Sequence, residues 1–479
     1  MPRAATEGRS DEGGLVIAPL EKISEPMRRL SAHIAGASRQ PIPEAVAAKC
    51  ALHILDTLAA MISGTQLPAG QFAITYVESL GGTRQSSVVG TRQLTSPVNA
   101  ALANGMLAHA DETDDSHAPS RTHPGCAVIP AALAAAESMH ASGRDFLRAI
   151  VLGYDIAARI NFALDPEALA ASRRSTHSFG GCFGAGAAAG ALLGFDERQV
   201  RHLLSLCAQQ ASGVGCHVRD PEHVEKAFDF GGMPARNGVA AATMVAAGMS
   251  GVDDVFSGER NFLDAYAVNP DPEQLSGGLG ERFEILQTNI KKWPVGSPAQ
   301  AALDSLVELI QRNHIGLQDI DTIEVHLPGT SARTVDSAPA PNLNVQHLLA
   351  MLLVDGKLTF DSIHDQTRMG DAEVLALRRK VTVIQSQELA QARPRRQAIV
   401  NISTRDGRVL SHRTFAVRGT ADNPMTATEV EAKALDLIDS VAGMRKAKGI
   451  VSAIRNIEGV GDVTELRRLW QISNREDGP

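Results

Sequence analysis

The feature that most constrains the fold of this chain is an uncharged run of small residues from Phe179 to Phe195, FGGCFGAGAAAGALLGF. The run is shorter than the roughly 20 residues that a membrane-spanning helix requires. Its GAGAAAG segment differs from the GxGxxG fingerprint, and no β-branched strand precedes it, which argues against a dinucleotide site. We therefore predict a buried helix whose glycines and alanines let neighbouring helices approach closely.

The composition of the whole chain points the same way. Aromatic residues make up 4% of the 479 residues and hydrophobic residues 44%, so most of the apolar mass is Ala, Leu, Val and Ile. This balance favours helices that pack through small side chains, and the length allows about three domains. The formal net charge is −8, without a long block of like charge. We therefore expect no nucleic-acid partner.

The cysteines and the first residues bear on the compartment. Five widely spaced cysteines without a CxxC pair favour neither a disulfide framework nor a zinc cluster, and they fit a reducing cytosol. Residues 1–19 contain charged and small residues but no apolar core of signal-peptide length. We predict a disordered leader at 1–19 and a cytoplasmic protein that does not bind membranes.

Residues 20–285 repeat a helical pattern. In Glu44–Ile62 the apolar residues recur with a period near 3.6, and Ser96 followed by Pro97 is typical of a helix start. This part of the chain is predicted to form a helical domain.

Residues 286–422 have a different sequence pattern, in which polar and apolar residues alternate. Two strand-like runs, Gln397–Thr404 and Val409–Val417, flank Asp406 and Gly407. Asp-Gly between such runs predicts a hairpin with a type I′ turn, in which both central residues have positive φ. With the helical patterns nearby, this stretch is predicted to form a smaller α+β lid domain.

The remaining residues, 423–479, are predicted to be helices that return to the helical domain. They begin with a capping box, Thr426–Glu429. The predicted fold class is thus mostly α: a large all-helical domain into which an α+β lid domain is inserted.

The densest polar cluster runs from His109 to His117, HADETDDSH, and continues to His123. Its histidines and carboxylates are residue types that bind hard or borderline metals, so a metal site is one interpretation. No fixed ligand template such as HExxH is present, and acidic segments at helix ends are also common as capping loops. Both alternatives stay open on this pattern alone.

Three further positions carry side chains suited to acid–base chemistry or to anion binding. His177 directly precedes the small-residue run, where a helix N-terminus disfavours the imidazolium form and keeps the ring available as a base. Lys226 and Lys291 lie beside turns controlled by Gly and Pro, and Lys291 falls at the change of sequence pattern. Two such lysines suit an anionic ligand in a cleft, although a lone lysine is usually solvated.

Taken in order, four segments resemble the MmgE/PrpD family, which includes 2-methylcitrate dehydratase, cis-aconitate decarboxylase and iminodisuccinate epimerase. They are NAALANGMLAHADETDDSH with THPG, HSFGGCFGAGAAAGALLGFD, EKAFDFGGMPARNGVAAATMVAAGMSG and IKKWPVGSP. The resemblance extends from about residue 20 to 475. It implies a helical domain formed by both chain ends, a lid between them, a homodimer, and a site in the cleft that needs no metal or other cofactor.

The resemblance also assigns roles to individual residues. The catalytic set that it implies is His177, His123, Glu112 and Ser116. The substrate-binding set that it implies is Lys226, Lys291, Asp115 and His347. Two departures from the family pattern are that His347 replaces a lid tyrosine and that Asp229 replaces the histidine after the first lysine. These departures leave the particular substrate open.

The chemistry that these residue types support is proton transfer next to a carboxylate. Such a reaction builds negative charge on carboxylate oxygens, which lysines can stabilise, while a histidine moves the proton near neutral pH. We expect a cofactor-independent lyase that acts on a small di- or tricarboxylate, with 2-methylcitrate-type dehydration first. Decarboxylation or epimerisation could use the same site. The alternatives from other classes are a metal-dependent hydrolase and a ligand-binding relative without turnover.

Overall fold

The computed structural model describes residues 22–472 of the chain. The predicted leader, 1–19, lies outside these residues. Within the described part, helices dominate and a small four-stranded mixed sheet forms a separate layer, which confirms the predicted fold class.

The first part of the chain is helical, apart from the two short strands β1 (Ser86–Ser87) and β2 (Leu94–Thr95). Its helices are α1 (Glu25–Gly36), α2 (Glu44–Gly64), α3 (Pro68–Leu80), α4 (Pro97–Ala108), α5 (Pro124–Ser138), α6 (Gly143–Leu164), α7 (Pro166–Ala171), α8 (Thr176–Leu192), α9 (Glu197–Gln210), α10 (Val224–Ala227), α11 (Met233–Ala246) and α12 (Phe262–Tyr266). Ser96 caps α4 by accepting a hydrogen bond from the Asn99 backbone N–H, as its position before Pro97 predicted.

The small-residue run forms α8, which lies in the middle of this domain. A side chain at Gly184 would place its Cβ 2.5 Å from the backbone oxygen of Gly153 in α6, so only glycine permits this approach. A Cβ at Gly186 would likewise lie 2.6 Å from Sγ of Cys207 in α9. The prediction of a buried helix that allows close packing is therefore confirmed.

Helix α2 is long and apolar enough to cross a membrane by length and composition alone. However, 67% of its apolar window is buried inside the protein. This burial is typical of the core helix of a soluble protein.

The second part of the chain forms a sheet with the strand order β4-β3-β5-β6. Strand β3 pairs in parallel with β4 and antiparallel with β5, which pairs antiparallel with β6. The strands are β3 (Ile320–Pro328), β4 (Val381–Ser386), β5 (Ala398–Thr404) and β6 (Val409–Thr414). The accompanying helices are α13 (Gln300–Asn313), α14 (Gly329–Val335), α15 (Val345–Asp355), α16 (Phe360–His364), α17 (Ala372–Arg378) and α18 (Gln387–Gln391).

The hairpin between β5 and β6 exists, but its turn differs from the predicted type I′ turn. Gly407 has φ of 86°, whereas Asp406 is not among the residues with positive φ. The Thr404 backbone N–H donates to the Arg408 oxygen at 2.9 Å, so the loop is wider than two residues. Asp406 accepts hydrogen bonds from Thr404 and Arg408 and holds this wider loop.

The last part of the chain consists of α19 (Ala427–Ala442), α20 (Met444–Arg455) and α21 (Arg467–Trp470). The capping box at Thr426 and Glu429 is formed. Residues of α19 and α20 share one hydrophobic core with α2, whereas the sheet and its helices have a core of their own. The domain limits at 286 and 422 remain predictions from the sequence.

Candidate active site

The site is organised around Phe230, which lies in a single π-helical turn, Phe228–Gly232. The His177 ring stacks on the Phe230 ring at a centroid distance of 3.5 Å, and the His109 ring stacks at 4.5 Å. His123 and His217 contact the same ring at 5.3 and 4.9 Å. One buried phenylalanine thus fixes the planes of four histidines.

His123 and His177 come together from two helix starts. His123 directly precedes α5, and His177 is the second residue of α8, which Ser175 caps. Their ring centroids are 5.2 Å apart. The structure therefore brings together the two histidines that the sequence predicted to be catalytic.

Asp114 bridges two of these histidines. Its carboxylate lies 3.0 Å from Nδ1 of His109 and 3.1 Å from Nδ1 of His123. Lys291 Nζ is 3.5 Å from the same carboxylate. Burial would raise the pKa of Asp114, but His109, His123 and Lys291 outweigh it and hold this pKa well below its usual range.

The surroundings of His123 and His177 shift the pKa values of the two rings differently. Burial lowers the pKa of His123 to about 4, and the Asp114 carboxylate opposes this effect. Burial also lowers the pKa of His177, to well below its usual value, and the neighbouring His123 and His217 lower it further. His177 Nδ1 is buried and has no hydrogen-bond partner among the described residues. His123 is thus the ring that can hold a proton, because it alone of the two faces a carboxylate.

Glu112 and Lys226 form an ion pair beside this cluster. Lys226 Nζ also lies 5.3 Å from the centre of the Phe230 ring. Burial would raise the pKa of Glu112, but Lys226 and Lys291 hold it well below its usual value. The site therefore contains a negative Glu112 and a positive lysine that is one-fifth exposed and can turn toward a ligand.

Lys291 lies deeper. Its side chain is 3% exposed, and its Nζ donates to the Glu112 backbone oxygen at 2.6 Å. This lysine therefore braces the segment that carries Glu112 and Asp114. Because a lysine has three N–H donors, its predicted contact with substrate does not require this bracing bond to be given up.

Asp115 points to the opposite side of the same segment. Its carboxylate lies 2.8 Å from His53 Nδ1, and it accepts hydrogen bonds from Tyr154 Oη at 2.6 Å and the Gly125 backbone N–H at 3.0 Å. All of these groups are buried. Since protein donors occupy both oxygens, the surroundings of Asp115 favour a positioning role and do not support the predicted contact with substrate.

Two other predicted residues make no contact with the histidine cluster within residues 22–472. Ser116 is buried and pairs through its backbone with Asn289, the residue two before Lys291. His347 is buried in the first turn of α15 in the lid, and burial and the nearby Arg378 lower its pKa to about 4.

The sequence analysis missed several residues that complete the site. Phe230 lies in a segment that carries the family resemblance but was given no role, and His217 and His223 lie outside those segments. Their importance arises only when the π-helical turn packs against α4, α5 and α8. His223 Nδ1 approaches Glu112 to 4.0 Å and has a φ of 61°. The departure at Asp229 was visible in the sequence, and the structure explains it: Asp229 accepts a hydrogen bond from Ser175 and lies 3.2 Å from His217.

A group that could hold a metal ion also lies here. His109, Asp114 and Cys126 offer ligand atoms within 4.8 Å of one another. Burial raises the pKa of the Cys126 thiol well above its usual value, as do Asp114 and Asp115. This thiol approaches the backbone oxygen of His123 at 3.1 Å. A metal would need the thiolate form, which these surroundings disfavour in the metal-free protein.

Comparison with known proteins identifies the family. The MmgE/PrpD N-terminal domain matches residues 28–275, and the MmgE/PrpD C-terminal domain matches residues 293–458. The chain is 26% identical over 461 residues to the cis-aconitate decarboxylase-like protein oryM of Aspergillus oryzae, covering 89% of this chain and 93% of that protein. It is 25% identical over 463 residues to cis-aconitate decarboxylase of Aspergillus terreus, covering 89% and 92%. It is 23% identical over 438 residues to cis-aconitate decarboxylase of Homo sapiens, covering 87% and 88%. The chain therefore belongs to the MmgE/PrpD family.

Proposed function

We propose that this protein is a cofactor-independent lyase that acts on a small tricarboxylate, with decarboxylation of cis-aconitate as the leading reaction. The observation that carries the proposal is the Asp114–His123 pair facing His177, next to the Lys226–Glu112 ion pair. The curated relatives are cis-aconitate decarboxylases or a decarboxylase-like protein. They support decarboxylation over the dehydration that the sequence analysis placed first.

The proposed reaction needs a cation and a proton donor. Breaking the bond to the leaving carboxylate releases carbon dioxide and leaves an electron pair on carbon, which the remaining carboxylates delocalise. A proton must then be added to carbon, so the reaction consumes one proton. Lys226 stabilises the negative charge while it builds up, and His123 supplies the proton.

The Asp114 carboxylate prepares His123 to act as the proton donor. A carboxylate on Nδ1 orients the ring and stabilises its imidazolium form, which leaves Nε2 to donate. In the free protein the pKa of His123 is about 4, so the ring is mostly neutral at pH 7. A bound polyanion would raise this pKa, because negative charge nearby favours the protonated ring. Substrate binding would thus help to charge the acid.

His177 has a different proposed role. It has no carboxylate partner, and it stacks on Phe230 in a position where burial keeps it neutral. A neutral imidazole can donate one hydrogen bond or accept a proton. We propose that His177 orients the substrate during decarboxylation. It would act as the base if the reaction were dehydration or epimerisation.

We also propose that the protein is a cytoplasmic homodimer. On α3, Phe72, Tyr76 and Leu80 are 56%, 53% and 48% exposed, and their spacing of four residues puts them on one face of the helix. Exposed apolar rows of this kind suit a protein interface. Analytical ultracentrifugation of the full chain tests this proposal.

A product screen tests the proposed reaction. The full chain is incubated with cis-aconitate, citrate and 2-methylcitrate, with and without a chelator, and the products are identified by mass spectrometry. We expect carbon dioxide and a five-carbon dicarboxylate from cis-aconitate, at the same rate with chelator present. Loss of water from 2-methylcitrate alone would instead establish the dehydratase. Activity that disappears on chelation and returns with one metal would favour the metal-dependent class.

A further inference from the structure

The two lysines of the candidate site are already paired with protein groups. Lys226 pairs with Glu112, and Lys291 lies between the Glu112 backbone oxygen and the Asp114 carboxylate. A tricarboxylate brings up to three negative charges into a site that holds Glu112 and Asp114 as anions. The net charge of the whole chain, −8, adds no long-range attraction. A further source of positive charge near the cleft would balance the substrate.

A loop of the lid, residues 393–397 between α18 and β5, reaches the helical domain. Arg395 Nη1 lies 3.0 Å from Glu167 Oε1, and Arg121 Nη1 lies 2.6 Å from Glu167 Oε2. The two ion pairs share one carboxylate in α7. They therefore attach the lid loop to the segment that contains Arg121.

That segment leads directly to the catalytic histidines. Arg121 is two residues before His123, and its backbone oxygen accepts a hydrogen bond from Thr176 Oγ1 at 2.6 Å. Thr176 in turn directly precedes His177. The two ion pairs thus hold the loop 393–397 close to Arg121 and Thr176, the residues that shortly precede His123 and His177.

Arg396 follows the fastened Arg395 and is held in a fixed conformation. Its φ is 65°, in the left-handed region that residues with a Cβ rarely occupy, so the surrounding loop holds its backbone in this conformation. The next residue, Gln397, is buried, donates to the Pro394 oxygen at 3.0 Å and accepts from Arg413 Nε at 2.9 Å.

Unlike the lysines, Arg396 has no hydrogen bond or ion pair with any residue in the range 22–472. It is exposed as a whole residue. Desolvation by the surrounding protein atoms still lowers the pKa of its guanidinium, and the Glu112 carboxylate opposes this lowering. Together with the ion pair of the adjacent Arg395 to Glu167, this places Arg396 beside the segment that carries the site, and its five N–H donors remain available.

We propose that Arg396 binds the carboxylate of the substrate that is most distant from the reacting carbon, and so selects tricarboxylates over dicarboxylates. A guanidinium suits this task because its planar fork matches a carboxylate in two parallel hydrogen bonds. The inference rests on the proposed function, since it names how the same cleft recognises its substrate. Arg396 touches a remote carboxylate, so it contributes to binding of the ground state and transition state alike.

The experiment uses two unreactive ligands and calorimetric titration of the full chain. Tricarballylate has three carboxylates, and methylsuccinate is the same molecule with one terminal carboxylate removed. We expect Arg396→Gln to weaken tricarballylate binding roughly 10- to 100-fold, the value of a charged hydrogen-bonded pair. Methylsuccinate binding should change by less than about threefold, because that ligand lacks the carboxylate in question. Arg396→Lys should restore part of the loss.

Arg393→Gln is the matched control. It removes the same charge from the same loop, and Arg393 donates only to nearby backbone oxygens. Both ligands should bind this variant as they bind the wild type.

Equal weakening of both ligands by Arg396→Gln, or no weakening at all, would overturn the inference. Wild-type protein that binds neither ligand would overturn it together with the proposed function. Binding that depends on Arg396 without turnover of cis-aconitate would reject the proposed reaction alone.

Discussion

The helical part and the lid part of the candidate site are built in opposite ways. The helical half packs Glu112, Asp114, His123 and Lys226 into a buried network in which each charge has a partner. The lid half presents Arg396, which has no partner within residues 22–472. A network of paired charges fixes geometry and proton positions, whereas an unpaired guanidinium is ready to bind an anion. The contrast suggests that the helical half performs the chemistry and the lid half recognises the substrate.

The largest effect should come from the histidines of the helical half. We expect His123→Gln and His177→Gln to lower kcat by about 100-fold or more, the usual scale for acid–base groups, with substrate binding largely kept. The effect should be larger for His123, because of these two rings only His123 faces Asp114. Steady-state kinetics on the substrate found in the product screen measures both. His140→Gln is the control, since His140 is 70% exposed. Turnover near that of the wild type in both variants would make these histidines structural.

The next effect concerns Lys226. We expect Lys226→Ala to lower kcat/KM by at least about 30-fold, because the substrate carboxylate loses its partner and Glu112 is left unpaired. Lys292→Ala is the control, since the Lys292 side chain is partly exposed and its Nζ lies over the Trp293 ring. Lys291→Ala should lower both kcat/KM and Tm, because Lys291 braces the Glu112 segment. Should Lys226→Ala match the Lys292→Ala control, Lys226 would be an ordinary surface lysine.

The pH dependence tests which form of His123 acts. Above pH 4 the protonated fraction of a group with a pKa of about 4 falls tenfold per pH unit. If His123 is the acid, kcat/KM should therefore fall about tenfold per unit between about pH 5 and pH 8. The decline in kcat should begin at higher pH, because bound carboxylates raise the pKa of His123. A value of kcat/KM that stays level over this range would show that the neutral ring acts, as dehydration requires, because a ring with a pKa of about 4 is already neutral there.

The smallest effect is expected at His347 in the lid. The sequence suggested that this residue replaces a tyrosine that binds substrate, whereas the structure buries it in the first turn of α15. We expect His347→Gln to change kcat/KM by less than about threefold, as a substitution outside a site does. The measurement is made beside Arg396→Gln. A tenfold loss would place His347 in the cleft and weaken the contrast between the halves.

The two halves also differ in how far the sequence revealed them. The small-residue helix, the cap at Ser96 and the two hairpin strands of the sheet follow local rules, so periodicity and capping predicted them. The helical half of the site was visible because its acids and His123 lie within fifteen residues, 109–123. The roles of Phe230 and Arg396 depend on contacts between distant segments, and no local pattern carries such contacts. For the same reason the sequence could not show which way Asp115 points, because contacts with His53 and Tyr154 set its direction.

The most direct test of the account is to run the reaction of cis-aconitate in D₂O and analyse the product by NMR and mass spectrometry. The nitrogen-bound proton of His123 exchanges with solvent, so the proton that it delivers to carbon will be a deuteron. We predict that the wild type releases carbon dioxide and yields a dicarboxylate with one carbon-bound deuterium, and that His123→Gln forms this product at least about 100-fold more slowly. A product without carbon-bound deuterium, or an unchanged rate in His123→Gln, would contradict the central claim that the helical half of the cleft supplies the proton.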